Sequence, residues 1–84
     1  MKNDELSEGV LHEIMQRHRA TTGGEWRSFI EGRDHCSGSN FIQTDRNDIE
    51  LTGATEADQD FIAAAHQDIP KLVAELRRLK GWSP

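Results

Sequence analysis

The chain has a single cysteine, Cys36, which excludes an internal disulfide framework and a cysteine-rich zinc site. A lone thiol fits a reducing cytoplasm. No apolar run approaches the roughly 18–20 residues of a membrane span. The opening Met1-Lys2-Asn3-Asp4-Glu5 is acidic and without an apolar core, so no secretory signal is expected. Basic residues are outnumbered, ten against fifteen acids, for a net charge of −5 and a pI near 5.2. A chain so charged lacks the basic stripe that displaces counterions from duplex nucleic acid. There is no phosphate-binding Gly-x-x-x-x-Gly-Lys-Ser/Thr loop and no His-x-x-x-His pair. His12 and His18 stand six apart, on different faces of a helix. The sequence therefore predicts neither cofactor nor metal. It also lacks internal repeats and low-complexity tracts.

What remains is small and polar. Eighty-four residues, 9.5 kDa, 35% apolar and 30% charged, give a mean hydropathy of −0.75. Residues 1–84 are expected to form one domain. The apolar residues cluster in periodic blocks, which argues for a fold over global disorder. Residues 36–66 hold six acids and one arginine, whereas residues 67–84 hold four bases and two acids. An acidic middle suits a protein partner with a basic surface, because opposite fields speed encounter. Plain solubility is the simpler use of the same charge.

Leu6, Val10, Leu11, Ile14, Met15 and His18 fall at helical spacing and predict a helix over about 4–20. Asn3 or Asp4 can cap it, and Gly23-Gly24 stops it. Residues 25–31, with Trp26, Phe29 and Ile30, predict a strand, residues 40–44 a second, and Ile49-Glu50-Leu51 a third. Gly32 to Gly38 reads as a loop and residues 45–48 as a turn. Thr55 to Asp58 resembles a capping box. Phe61, Ile62 and Ala65 begin an apolar stripe, and Ile69, Leu72, Val73, Leu76 and Leu79 continue it as a core-facing surface. Pro70 cannot donate a backbone hydrogen bond, and Asp68 can cap a fresh helix, so a break or kink is expected near 66–69. The fold class is α+β: an N-terminal helix, a small three-stranded antiparallel sheet, and a broken C-terminal helical segment packed on one face.

The densest chemistry lies in residues 26–39. Gly and Ser can expose backbone N–H groups to an anion, and Arg27, Arg33 and His35 can add charge-assisted bonds. The plainer alternative is a polar turn. Glu31 and Asp34 could pair for acid–base work, though Arg33 between them can simply balance charge. His35-Cys36 suggests a nucleophile, but adjacent side chains on extended backbone point apart. The candidate partner-contacting or ligand-contacting residues are Arg27, Glu31, Arg33, Asp34, His35, Ser37 and Ser39, with no catalytic residue assigned.

Two segments carry a resemblance. The run Arg19-Ala20-Thr21-Thr22-Gly23-Gly24-Glu25-Trp26 resembles the Ala-Thr-Pro-Gly-Pro-Trp run of a family of small uncharacterised bacterial and phage-borne proteins. It lacks both prolines of that run. Residues 56–65 (Glu-Ala-Asp-Gln-Asp-Phe-Ile-Ala-Ala-Ala) and 67–76 (Gln-Asp-Ile-Pro-Lys-Leu-Val-Ala-Glu-Leu) are similar to the family's closing signature. Residues 31–35 with Ser37-Gly38-Ser39 look like one subgroup. The resemblance implies an α+β fold and a phage or mobile-element setting, and it brings no catalytic or ligating residues.

Together these features predict a cytoplasmic binding protein, not an enzyme. It would act as an inhibitor that occupies another protein, of the immunity or phage anti-defence kind. Alternatives are a nucleotide or other anion binder using the Arg27–Ser39 segment, and a small hydrolase-like enzyme using Glu31, Asp34 and His35. A homodimer sharing the Ile69–Leu79 face is a further expectation, and neither a membrane nor duplex nucleic acid is an expected partner.

Overall fold

The computed structural model describes residues 6–36 and 38–82. Helix α1 runs Glu8–Arg19. The Ser7 hydroxyl caps it, accepting from the Val10 N–H at 3.1 Å. The proposed caps Asn3 and Asp4 lie outside the described residues. Glu8 sits in the first turn and Arg17, His18 and Arg19 in the last, each matched in sign to the helix dipole.

Strands β1 (Arg27–Phe29) and β2 (Phe41–Gln43) pair antiparallel, with Arg27 opposite Gln43, Ser28 opposite Ile42 and Phe29 opposite Phe41. The Phe29 and Phe41 rings stack across the pair at 5.2 Å. The expected third strand does not form. Ile49 makes one antiparallel bridge to Ile42, with two backbone bonds of 2.8 Å, and the ladder ends there. Two local turns consume the flanking backbone. The Asn47 carbonyl accepts from the Thr44 hydroxyl at 2.8 Å, and Gly53 turns the chain at φ +83°. Leu51 then lies toward the last helix, in a groove with Phe61 and Ile62.

Helix α2 spans Glu56–Lys80, 25 residues, about 37 Å at 1.5 Å per residue. Its capping box is the expected one. Asp58 N–H donates to Thr55 Oγ1, and Thr55 N–H donates to Asp58 Oδ2, both at 3.0 Å. The expected break does not occur, and Pro70 lies inside a continuous helix. Proline removes the N–H that would satisfy the His66 carbonyl. Here His18 Nε2, from α1, donates to that carbonyl at 2.8 Å. The defect is repaired from outside the helix, so the helix continues.

The core is small. Leu11, Ile30 and Ile42 are fully enclosed, with Ala63 and Val73 beside them. Gln59 is buried among them. Its amide nitrogen lies within reach of the Phe29 and Phe41 carbonyls (3.2 and 3.0 Å) and the Ser28 hydroxyl (2.9 Å). One side chain thus ties α2 to both strands, satisfying groups that burial would otherwise strand. The architecture is α+β, one helix on each side of a two-stranded ribbon in the chain order.

Candidate functional site

The residues singled out between Arg27 and Ser39 are largely engaged with one another and with α2. Ile30 anchors the segment, since its carbonyl accepts from the N–H groups of Arg33 (3.0 Å) and Asp34 (2.8 Å). Its own N–H donates to Asp34 Oδ2 at 2.8 Å. Gly32, at φ +87°, donates to the His35 carbonyl at 2.7 Å and closes the turn. The guanidinium of Arg33 makes a two-pronged contact with Asp60 of α2 (2.9 and 3.0 Å) and donates through Nε to Asp34 (2.9 Å). Fork-to-fork pairing of this kind is the strongest form of exposed ion pair.

That pairing sets the local titration. Hydrogen bonds from Arg33, then from Ser28, hold the Asp60 carboxyl down at about 2. Asp34 is also held below the usual carboxylate range, first by Arg33 and then by the Ile30 N–H. Arg33 is raised by the same two carboxylates. The other candidates are dispersed. Arg27 is exposed, with Glu25 near it at 3.8 Å. Glu31 is exposed, and its N–H donates to Asn40 Oδ1 at 2.8 Å. The ring of His35 turns inward against Phe41, leaving Nε2 covered and without a partner among the described residues. Ser39 donates to Glu50 at 3.1 Å, and Ser37 lies outside the described residues. Cys36 is exposed.

A second cluster joins residues that sequence spacing keeps far apart. Trp26, just before β1, stacks on His66 of α2 at 4.0 Å and 4°, and His66 stacks on His18 of α1 at 4.5 Å. Gln67 accepts from the Trp26 N–H (2.8 Å) and donates to the Trp26 carbonyl (3.1 Å) and the Ala63 carbonyl (3.0 Å). Thr21 donates to the His18 carbonyl at 2.6 Å, so its oxygen accepts from His66 Nε2 at 2.8 Å. His66 Nδ1 faces the accepting oxygen of Gln67 at 3.1 Å. Both ring nitrogens therefore face oxygen atoms. Chemically the cluster holds protons in place: the Thr21 proton points at a carbonyl, and His66 offers Thr21 an N–H rather than a lone pair. The one local hint in the sequence was Pro70, which creates the carbonyl that His18 meets.

The third feature is the outer face of α2. Phe61, Leu72 and Leu79 are 72%, 60% and 66% exposed. At 100° per residue they fall within about 20° of one line down the helix. Asp68 and Glu75 are exposed between them, Glu75 paired with Arg78. Helical spacing predicts core positions for Leu72 and Leu79. The structure places them outside, because Gln59, Ala63 and Val73 are the residues that face inward.

The chain matches no family model, no curated protein and no solved structure.

Proposed function

We propose that this is a small acidic binding protein that acts by occupying another protein, with the outer face of α2 as its contact surface. The observation that carries this reading is the line of Phe61, Leu72 and Leu79, exposed along a single helix face with acids between. Large apolar side chains in register on one helix are the anchors of helix-in-groove recognition. The interleaved Asp68 favours a groove with a basic rim over an acidic one, while Glu75 is already paired with Arg78. Inhibition of a cytoplasmic target follows naturally from such a mode, since a partner whose groove is filled cannot use it. The Arg33–Asp60 pair ties the flank of the helix to the Arg27–Ser39 segment, which gives that segment a supporting role in the same surface.

The test places a photoreactive phenylalanine analogue at Leu72 in the full chain, with Arg46 as the control position. The expected result is a crosslink to one protein from position 72 and none from position 46. The variant Phe61→Ser/Leu79→Ser should weaken binding of that protein tenfold or more, on the order of 1.4 kcal/mol, and should weaken its inhibition in parallel. Equal inhibition by the variant would refute the assignment.

A further inference from the structure

The inner face of α2 contains more than the sheet covers. Gln59, Ala63 and Gln67 follow one another at helical spacing, and Gln59 and Gln67 bond to the strands and to Trp26. Pro70, Ala74 and Arg77 continue the same line. No strand among the described residues reaches them. A cleft of about 510 Å³ opens there instead, walled by Pro70, Val73, Ala74 and Arg77 of α2, Met15 of α1 and Trp82. That volume falls within the roughly 300–1,000 Å³ typical of small-molecule sites.

Trp82 is placed by the end of the helix. Gly81 takes φ +75°, its N–H donates to the Arg78 carbonyl at 3.2 Å, and the Trp82 N–H donates to the Arg77 carbonyl at 2.8 Å. This pair of reversed bonds folds the chain back, so the indole forms a wall of the cleft. Lys80 Nζ lies 5.6 Å from the indole centroid. Arg78 also borders the cleft, but its guanidinium is committed to Glu75. Arg77 makes no ion pair among the described residues, and its Nε is covered without an acceptor. A covered donor left unmatched is costly and rare in native proteins.

We propose that this cleft binds a small amphipathic carboxylate, its apolar body between Met15, Val73 and Trp82 and its head group on Arg77. The walls are apolar except for the guanidinium groups, so they accept a hydrocarbon or aryl body. One uncommitted arginine matches one carboxylate, which its planar fork can grip at two points. The cleft sits at the negative end of the α2 dipole, and the Gly81 and Trp82 N–H groups are already spent on carbonyls. A phosphate dianion would find no backbone donors and an opposing field, whereas a single negative charge on Arg77 fits. The site is on the opposite side of α2 from Phe61, Leu72 and Leu79, so it stands independently of the protein-binding surface.

The experiment titrates decanoate, 1-decanol and acetate into the full chain and follows the amide and indole signals by two-dimensional NMR. Decanoate should shift the Trp82 indole and the Ala74 and Gly81 amides saturably, with acetate silent and 1-decanol at least tenfold weaker. Arg77→Gln should remove the preference for decanoate over 1-decanol. Ala74→Phe, at an exposed position, should fill the cleft and weaken decanoate tenfold or more while the melting temperature stays near wild type. Equal affinity for decanoate and 1-decanol in the wild type would overturn the proposal. So would shifts centred on Phe61, Leu72 and Leu79, or an absence of saturable shifts at Trp82.

Discussion

His18 acts as a substitute backbone donor. Helices tolerate an internal proline only where the freed carbonyl finds another partner, and here that partner is an imidazole two segments away. The arrangement predicts a specific coupling. His18→Leu leaves the His66 carbonyl without a donor and should cost about 1–3 kcal/mol. Pro70→Ala restores a backbone N–H at the right place. In the His18→Leu background it should recover much of that loss, whereas in the wild type it should change little. Denaturant unfolding of the two single variants and the double variant measures the coupling. Additive losses would mean that His18 contributes through stacking on His66 alone. Gln59 plays a comparable role at the sheet, where one amide serves carbonyls from both strands.

At the scale of elements, α2 is two helices in one. Its first half is held on the inside by Gln59, Ala63 and Gln67, and its second half by Val73 against α1. Its outer line is left to solvent. Leu72 is 60% exposed and Leu11 is 1% exposed, so the same substitution should behave differently at each. Leu11→Ala should cost about 2–5 kcal/mol through lost burial and a cavity. Leu72→Ala should stay within about 0.5 kcal/mol of wild type, as surface changes usually do. Thermal or urea unfolding separates the two, and a large loss at Leu72 would mean that the outer face is covered in solution, as in a dimer. The short sheet has a related cause. Three-residue strands give few ladder bonds, and side chains such as Asn40 and Thr44 satisfy neighbouring backbone where a longer ladder would.

The whole molecule is extended for its length. Its Cα radius of gyration is 15.7 Å, where a compact chain of this size has about 12 Å. Its surface of 6216 Å² exceeds the roughly 5,000 Å² typical of this mass. A long helix over a small sheet produces both, and the excess surface is what a partner or ligand could cover. Few buried contacts leave the exposed ion pairs a visible share of the stability. Asp60, held at about 2, and Asp34, also lowered, both stand below the ordinary 3.8. Depressed carboxylates stabilise the fold above the unfolded value, and that contribution disappears as pH falls through the folded one. Their solvent exposure keeps the effect modest. Arg33→Gln should therefore lower the melting temperature slightly at pH 7. The gap from wild type should shrink between about pH 4 and pH 2 and close below it. A gap unchanged at pH 2 would show that Arg33 acts through packing instead of charge.

Local chemistry determined several features from the sequence alone. The Thr55–Asp58 capping box and the pairing of aromatic-rich segments around Phe29 and Phe41 both depend on residues close in the chain or on simple alternation. So did the α+β class. Tertiary contact decided the rest. Pro70 signals a break to any local reading, because the His18 proton that cancels it arrives across 48 residues. Arg33 reads as a free cation until Asp60, 27 residues on, claims it. The apolar stripe of α2 carries two faces at helical spacing, and periodicity cannot say which one a sheet will cover. The sheet chose the Gln59 face because a buried glutamine amide could satisfy both strands' carbonyls, and that choice left Phe61, Leu72 and Leu79 in water.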